Sequence, residues 1–229
     1  MCRHGSRATS MTKRGLTRER LADIAHAYVA EHGLDALTMR RLAAAAEVTP
    51  GALYKHVRDR KDLQRAMADT VFRAVDLSDI DLGHPDVDQT IICCRRIRAA
   101  MLRFRDGGRV VAGSYSPSPE TIRVSGTLMA LLHGVVLPQF RVGEIVLVLR
   151  SYITGFVIEE QAYLELRNAG EWEPLVARIA TGEHAGPEGA EDILAVMTGD
   201  RDRRFTGGLR TVLDGKVRDP VNRAASLRS

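Results

Sequence analysis

The chain lacks several things, and each absence removes a class of function. No uninterrupted apolar run approaches the ~20 residues of a bilayer-spanning helix, so no stretch reads as a membrane segment. Only three cysteines occur, two of them adjacent (Cys93, Cys94), which is no disulfide framework and points to a reducing cytoplasm. The opening MCRHGSRATSMTKRG is basic but has no apolar core of a secretory signal. There is no phosphate-cradling glycine loop, no His pair at metal-ligand spacing and no nucleophile elbow. Gly107-Gly108 and Gly207-Gly208 lack the strand-to-helix context that would give them meaning. An enzyme is therefore disfavoured, and neither a cofactor nor a metal is called for. No internal repeat at a fixed period is visible.

What is present begins with ordinary globular composition, 45% hydrophobic and 27% charged, over 229 residues. Charge is unevenly placed. Residues 1–60 hold eleven Lys/Arg against six Asp/Glu, an excess of five, while the whole chain nets only +4. A polyanion partner for the first quarter is the natural reading. The plainer one is a solvated basic tail, since four of the excess charges lie in residues 1–14.

Periodicity gives an all-α chain. Residues 1–15 have no period and are expected to be disordered. From Thr17 a helix is predicted to bury Leu21, Ile24, Ala25, Tyr28 and Val29, with Gly33 as its C-terminal stop. Thr38 then caps a helix whose Met39, Leu42, Ala43 and Ala46 face inward. Glu47-Val48 makes a tight turn. Thr49 is expected to cap the next helix with Pro50 at its first position, where the missing N–H costs nothing. Val48 and Leu53 have the spacing of a hydrophobic staple. Leu53 and Val57 point to the core, which leaves Ala52, Tyr54, Lys55 and His56 exposed.

Singly, a lysine, a half-buried tyrosine and a surface histidine mean little. Following a stapled, Pro-bearing helix start inside the basic quarter, they read as a helix-turn-helix recognition face. Arg40 and Lys55 are expected at guanine edges or phosphates. Thr49, Pro50, Ala52, Tyr54, His56 and Arg60 complete the expected DNA contacts.

Downstream, Asp59 starts a helix to about Val75, the lever between residues 16–62 and the rest, its own span being 60–75. The connector 78–86 is acidic and Gly/Pro-bearing, and a second domain is expected over 76–215. Helices are predicted at about 87–105, 121–133, 142–168, from Trp172 to about 181, and at about 192–213 with a break near Gly199-Asp200. RDGGRV (105–110) reads as a helix break, 182–191 as a flexible loop and 216–229 as a disordered tail. Cys93 and Cys94 read as core residues on different faces rather than as a thiol sensor.

Residues 16–62 closely resemble the DNA-binding head of the tetracycline-repressor (TetR) family, in the order of amphipathic helix, "G-x-x-x-L-T-x-R-x-L-A" and "V-x-x-x-x-L-Y-x-H-V". The resemblance implies an all-helical homodimer that represses transcription by binding a palindromic operator until a small ligand arrives. Its implied dimer contacts lie in the helices at about 142–168 and 192–213. LRFRDGGRVVAGSYSP (102–117) and YITGFVIEEQAYLE (152–165) further resemble the tetracycline repressor's own subclass.

By that resemblance Glu159 matches a pocket glutamate, but the magnesium-binding histidine position is Val111. Ser114 stands at a threonine position, Tyr115 at an arginine, Cys93 and Ile97 near an amide and a phenylalanine, and Asp76 at a histidine. Valine cannot ligate Mg²⁺. An effector held mainly by Ile97, Met101, Leu128, Met129, Leu132 and Phe156 is then expected, hydrophobic rather than metal-bound. An activator or a ligand-independent regulator of the same fold is the alternative.

Overall fold

The computed structural model describes residues 15–114, 117–181 and 186–217. The expected tails 1–15 and 216–229 therefore lie outside the described residues, apart from Gly15, Lys216 and Val217. The named elements among the described residues are all helices, with a single isolated bridge between Val136 and Val217.

The head is built from α1 (Arg18–His32), α2 (Met39–Ala45), α3 (Pro50–Leu53) and the start of α4 (Arg60–Arg73). A 3-10 turn at Leu34–Ala36 joins the first two. Capping sets these boundaries. Thr17 accepts the Arg20 amide at 3.2 Å, Thr38 the Arg41 amide at 3.2 Å, and Asp59 the Asp62 amide at 2.7 Å. Each satisfies an otherwise orphaned N–H of a first helical turn.

α4 then runs out of the head and packs against α5 (Val87–Leu102), α6 (Gly107–Ala112) and α7 (Pro119–Val135). α8 (Val142–Asn168) spans the expected residues and packs on α5, α6 and α7. α9 (Trp172–Ala180), α10 (Gly186–Thr198) and α11 (Arg201–Leu213) follow, α11 lying on α8 and α5. The break near Gly199-Asp200 is real, because Asp200 caps α11 through the Arg203 amide at 2.6 Å.

Two expectations are corrected. Residues 105–110 do not merely break a helix. Asp106 turns the chain through a left-handed conformation (φ 58°), and α6 follows at once with Val110 and Val111 buried. The stretch 182–191 is not all loop, since α10 begins at Gly186 and buries Ala190. Residues 182–185 lie outside the described residues.

One apolar cluster is continuous from Leu21 in α1 through Met67 and Val71 in α4 to Leu131, Leu149 and Phe205. Head and helical body thus share a core along the lever. A charged knot closes the far end. Arg98 of α5 is buried and donates Nε to Glu160 at 2.7 Å, and its terminal nitrogens to Glu160 at 2.6 Å and Asp202 at 2.5 Å. Its guanidinium lies over Phe156 and Phe205, 5.3 and 4.9 Å from the ring centres. The knot ties α5, α8 and α11 together.

Candidate nucleic-acid interface

The helix-turn-helix turn is a Schellman closure of α2. The Val48 amide reaches the Ala43 carbonyl at 3.0 Å and the Glu47 amide the Ala44 carbonyl at 3.1 Å. Glu47 occupies the left-handed position (φ 55°) that glycine commonly fills. This returns the chain so that α3 packs on α2, with Leu53 and Val57 buried.

α3 itself is one turn. His56 and Val57 amides both return to the Leu53 carbonyl, at 2.9 and 3.0 Å, so the helical path continues through Tyr54–His56 as turns. Thr49 was expected to cap α3, yet its side chain makes no cap hydrogen bond. That hydroxyl is exposed at the positive end of the turn, where a phosphate would sit.

Pro50, Tyr54 and Lys55 are exposed, Tyr54 by 52%, while Ala52 and His56 are half-buried. Arg40 is exposed at the start of α2. Arg60 is exposed but directed elsewhere, donating to the Leu34 carbonyl at 3.4 Å.

The residue that sequence reading underrated is Asp62. It is buried, pairs with Arg18 of α1 at 2.8 Å, and accepts the Arg58 amide at 3.0 Å. It therefore fixes the strand of chain leaving the recognition turn to both α1 and α4. The Arg18 hydrogen bond, with the Arg58 amide and both positive charges, holds its carboxyl down at about 2. Its position three residues after Asp59 was the visible signal, but Arg18, 44 residues earlier, was not.

The residues expected to form a ligand pocket are not brought together as one wall. Ile97, Met101 and Leu128 do line a common cavity, with Phe72, Val124, Ser125, Val146, Arg150 and Ile153. That cavity measures only about 20 Å³, roughly room for one water. Leu132 is fully buried among other core residues, and Val111 and Ser114 are buried at α6, where the Ser114 hydroxyl donates to the Val111 carbonyl at 3.0 Å. Phe156 belongs to the Arg98 knot. Met129 is 39% exposed and Glu159 is exposed, the buried carboxylate being its neighbour Glu160. Tyr115 lies outside the described residues.

The i, i+4, i+7 spacing of Val146, Arg150 and Ile153 could have marked the missed wall. A shallower surface cleft of about 670 Å³ lies between the end of α4 and α7, lined among others by Arg73, Asp76, Glu120 and Arg123. Both thiols are buried. Burial lifts Cys93 to about 11 and Cys94 further, so neither is a thiolate at neutral pH.

A helix-turn-helix on a lever helix, joined to a helical body in which no helix among the described residues is long and apolar enough to cross a membrane, is the architecture of a DNA-binding transcriptional regulator. The family models agree. Residues 21–67 match "Bacterial regulatory proteins, tetR family" and residues 86–217 match "Tetracyclin repressor-like, C-terminal domain". The chain belongs to the TetR family of transcriptional regulators. It is 31% identical over 199 residues to the class A tetracycline repressor protein from transposon 1721 of Escherichia coli, covering 81% of this chain and 83% of that one. Streptomyces coelicolor ActR in complex with actinorhodin is similar in structure, with TM-score 0.71 and 26% identity over 88% of this chain and 96% of that one. BioQ with its double-stranded DNA operator is also similar, at TM-score 0.57 and 27% identity, covering 75% and 99%.

Proposed function

We propose that the protein is a cytoplasmic repressor that binds a palindromic operator as a homodimer and releases it when a small, largely apolar effector binds. The observation that carries this reading is the Thr49–Lys55 turn. It presents an unspent hydroxyl, an aromatic hydroxyl and an ammonium from a backbone braced by the Glu47 closure and Asp62. BioQ, solved on its operator, and ActR, solved with actinorhodin, supply the two halves of the behaviour by similarity.

Dimerisation is supported by large apolar side chains that one copy leaves partly exposed among the described residues. Leu147 and Val148 are about half exposed on α8, and Ile193 and Val196 on α10, where Val196 reaches 59%. α11 turns its own Phe205, Leu209 and Leu213 inward. The expected contact at 192–213 then draws on α10 and on the exposed face of α11, which carries Gly207 and Thr211.

Effector binding needs movement, because drug-sized sites occupy ~300–1,000 Å³ and the interior cavity is about 20 Å³. Phe72, on the lever helix, is part of its wall. A ligand that opens this space reaches the head where it pushes on Phe72 and so on α4, and it shifts the head only by its preference for the opened state.

The test is a mobility shift with the DNA upstream of the protein's own gene. Lys55→Ala is expected to weaken binding about tenfold at unchanged thermal stability, the scale of one good base or phosphate contact. Unchanged affinity would show that this face does not read DNA.

A further inference from the structure

The segment Arg105-Asp106-Gly107-Gly108-Arg109 does work that neither the recognition face nor the interior cavity explains. Its side chains cross from the helical body to the head. Asp106 is buried and held at φ 58°. One carboxylate oxygen accepts the Leu34 amide at 2.8 Å, capping the 3-10 turn between α1 and α2. The other accepts Arg109 at 2.9 Å, and Arg109 extends to Asp35 at 2.7 Å. Arg105 donates to the Ala30 and Glu31 carbonyls, both at 3.2 Å, closing the C-terminal end of α1. Gly33, whose φ of 79° favours glycine, lies beside these two side chains.

The same segment is anchored behind. A Cβ at Gly107 would collide with the Met101 carbonyl, and one at Gly108 would press on Val157 and Ile158 of α8. The Gly108 amide donates to Gln161 of α8 at 3.1 Å, and Gln161 donates back to the Phe104 carbonyl at 2.7 Å. A continuous polar path therefore leads from α8 through α6 to the base of α1, beside the lever helix, whose Gln64 also donates to the Arg109 and Val110 carbonyls at 3.3 Å.

We propose that this segment is a clasp that fixes the rotation of the head and lever against the body, with Asp106 and Arg109 as its positioning residues. The proposal rests on the reading of the protein as a dimer that spans two half-sites. The lever helix is packed on α1 and carries the head as a unit, so any rolling of α4 on the body turns the head with it. A second attachment off the axis, at the end of α1, removes that freedom. Two clasped heads then present their α3 turns at one separation, matched to half-sites about 34–36 Å or a multiple apart. Its Arg109–Asp35 arm is exposed, so that arm opens without exposing core, as a reversible link requires.

The experiment uses the full chain and a palindromic duplex selected by the wild type from a random-sequence pool. Affinity is measured for that duplex and for the same duplex with one base pair inserted between its halves. Asp35→Ala and Arg109→Gln are compared with the wild type. Asp35 is exposed, so its loss leaves the fold intact, and thermal unfolding verifies this. Both variants are expected to discriminate between the two spacings at least about threefold less than the wild type, beyond the scatter of uncoupled sites. Amide exchange over residues 30–37 is expected to rise in Arg109→Gln. Spacing discrimination equal to wild type in both variants overturns the clasp. A wild type that selects no palindromic duplex overturns the underlying reading instead, and the two failures are told apart by that first step.

Discussion

The head and the helical body solve opposite problems with different chemistry. Both share one apolar core, but the small head adds the caps Thr17, Thr38 and Asp59 and the long-range Asp62–Arg18 pair, so that a few exposed side chains keep one geometry. The body is larger and holds itself with apolar filling and one buried charge knot. The contrast teaches where each can yield. A small head, with caps set over an apolar core, yields first at its helix ends. A body packed down to a cavity of about 20 Å³ is stable closed and must rearrange to admit anything.

The strongest test of that contrast is the knot. Arg98→Ala leaves Glu160 buried without its counter-ion and is expected to cost about 3–5 kcal/mol in chemical denaturation. Replacing Arg98 and Glu160 together by Met and Leu is expected to recover most of the loss, since Asp202 is exposed and needs no partner. If the single and double variants are equally destabilised, the knot is not held together by charge.

In the head the comparable change is smaller. Asp62→Asn weakens charge-assisted bonds to Arg18 and Arg58 and is expected to cost about 1–3 kcal/mol at pH 7. The sign with pH follows from a carboxyl held at about 2, below its ordinary 3.8. Its contribution is full above pH 4 and is lost as pH falls through about 2. Acid unfolding of the wild type should therefore show a loss in that window that Asp62→Asn lacks. A wild type and variant with parallel acid titrations would contradict the assignment.

The junction between the two regions has its own titrating group. His26 of α1 is buried against Phe104, ring centres 4.4 Å apart, and its Nε2 meets the Met67 carbonyl of α4 at 3.0 Å. A carbonyl only accepts, so Nε2 carries the proton and the buried Nδ1 has no partner among the described residues. Burial is the main cause lowering its pKa, with the Met67 bond and the Asp23 charge opposing. The junction is thus stable above about pH 6.5 and weakens as pH falls below it, because the unfolded chain binds the proton first. His26→Leu should remove this mild dependence, read as the slope of Tm between pH 7 and pH 5. An unchanged slope would place the titration elsewhere.

How much was legible beforehand follows the same division. The head's caps at Thr17, Thr38 and Asp59 are local, and so its helices could be read from the chain, whereas Thr49 makes no side-chain cap and Ala52 and His56 of the expected exposed face are half-buried. α8 was legible to its ends because length and period agreed. What escaped was carried by long separations or by backbone conformation. Nothing around Arg98 reveals that Glu160 and Asp202, 62 and 104 residues later, will close on it. Asp106 in a left-handed turn converted an apparent break into α6. Met and Leu at helical spacing do not say whether they line a ligand or each other, and here they meet each other. Arg60, read as a phosphate contact, is drawn to Leu34 by a fold-level proximity the local sequence does not contain.

The smallest effect probes whether the head's precision is bought by strain. Glu47 closes the turn at φ 55° with a side chain that is exposed. A β-carbon there opposes the left-handed conformation by ~1–2 kcal/mol, whereas glycine enters it freely. Glycine also gives the unfolded chain more entropy to lose, which takes back part of the gain. Glu47→Gly is therefore expected to stabilise the head by roughly 0.5–1 kcal/mol, seen as slower amide exchange in residues 39–57 with no change over α8. The Val48 and Glu47 amides already reach Ala43 and Ala44, so the substitution has no new bond to make and acts through the backbone alone. Operator affinity should stay within about twofold, because the geometry of α3 is unaltered. Faster exchange at 39–57 would mean that the Glu47 side chain, not the turn it closes, is what the head needs.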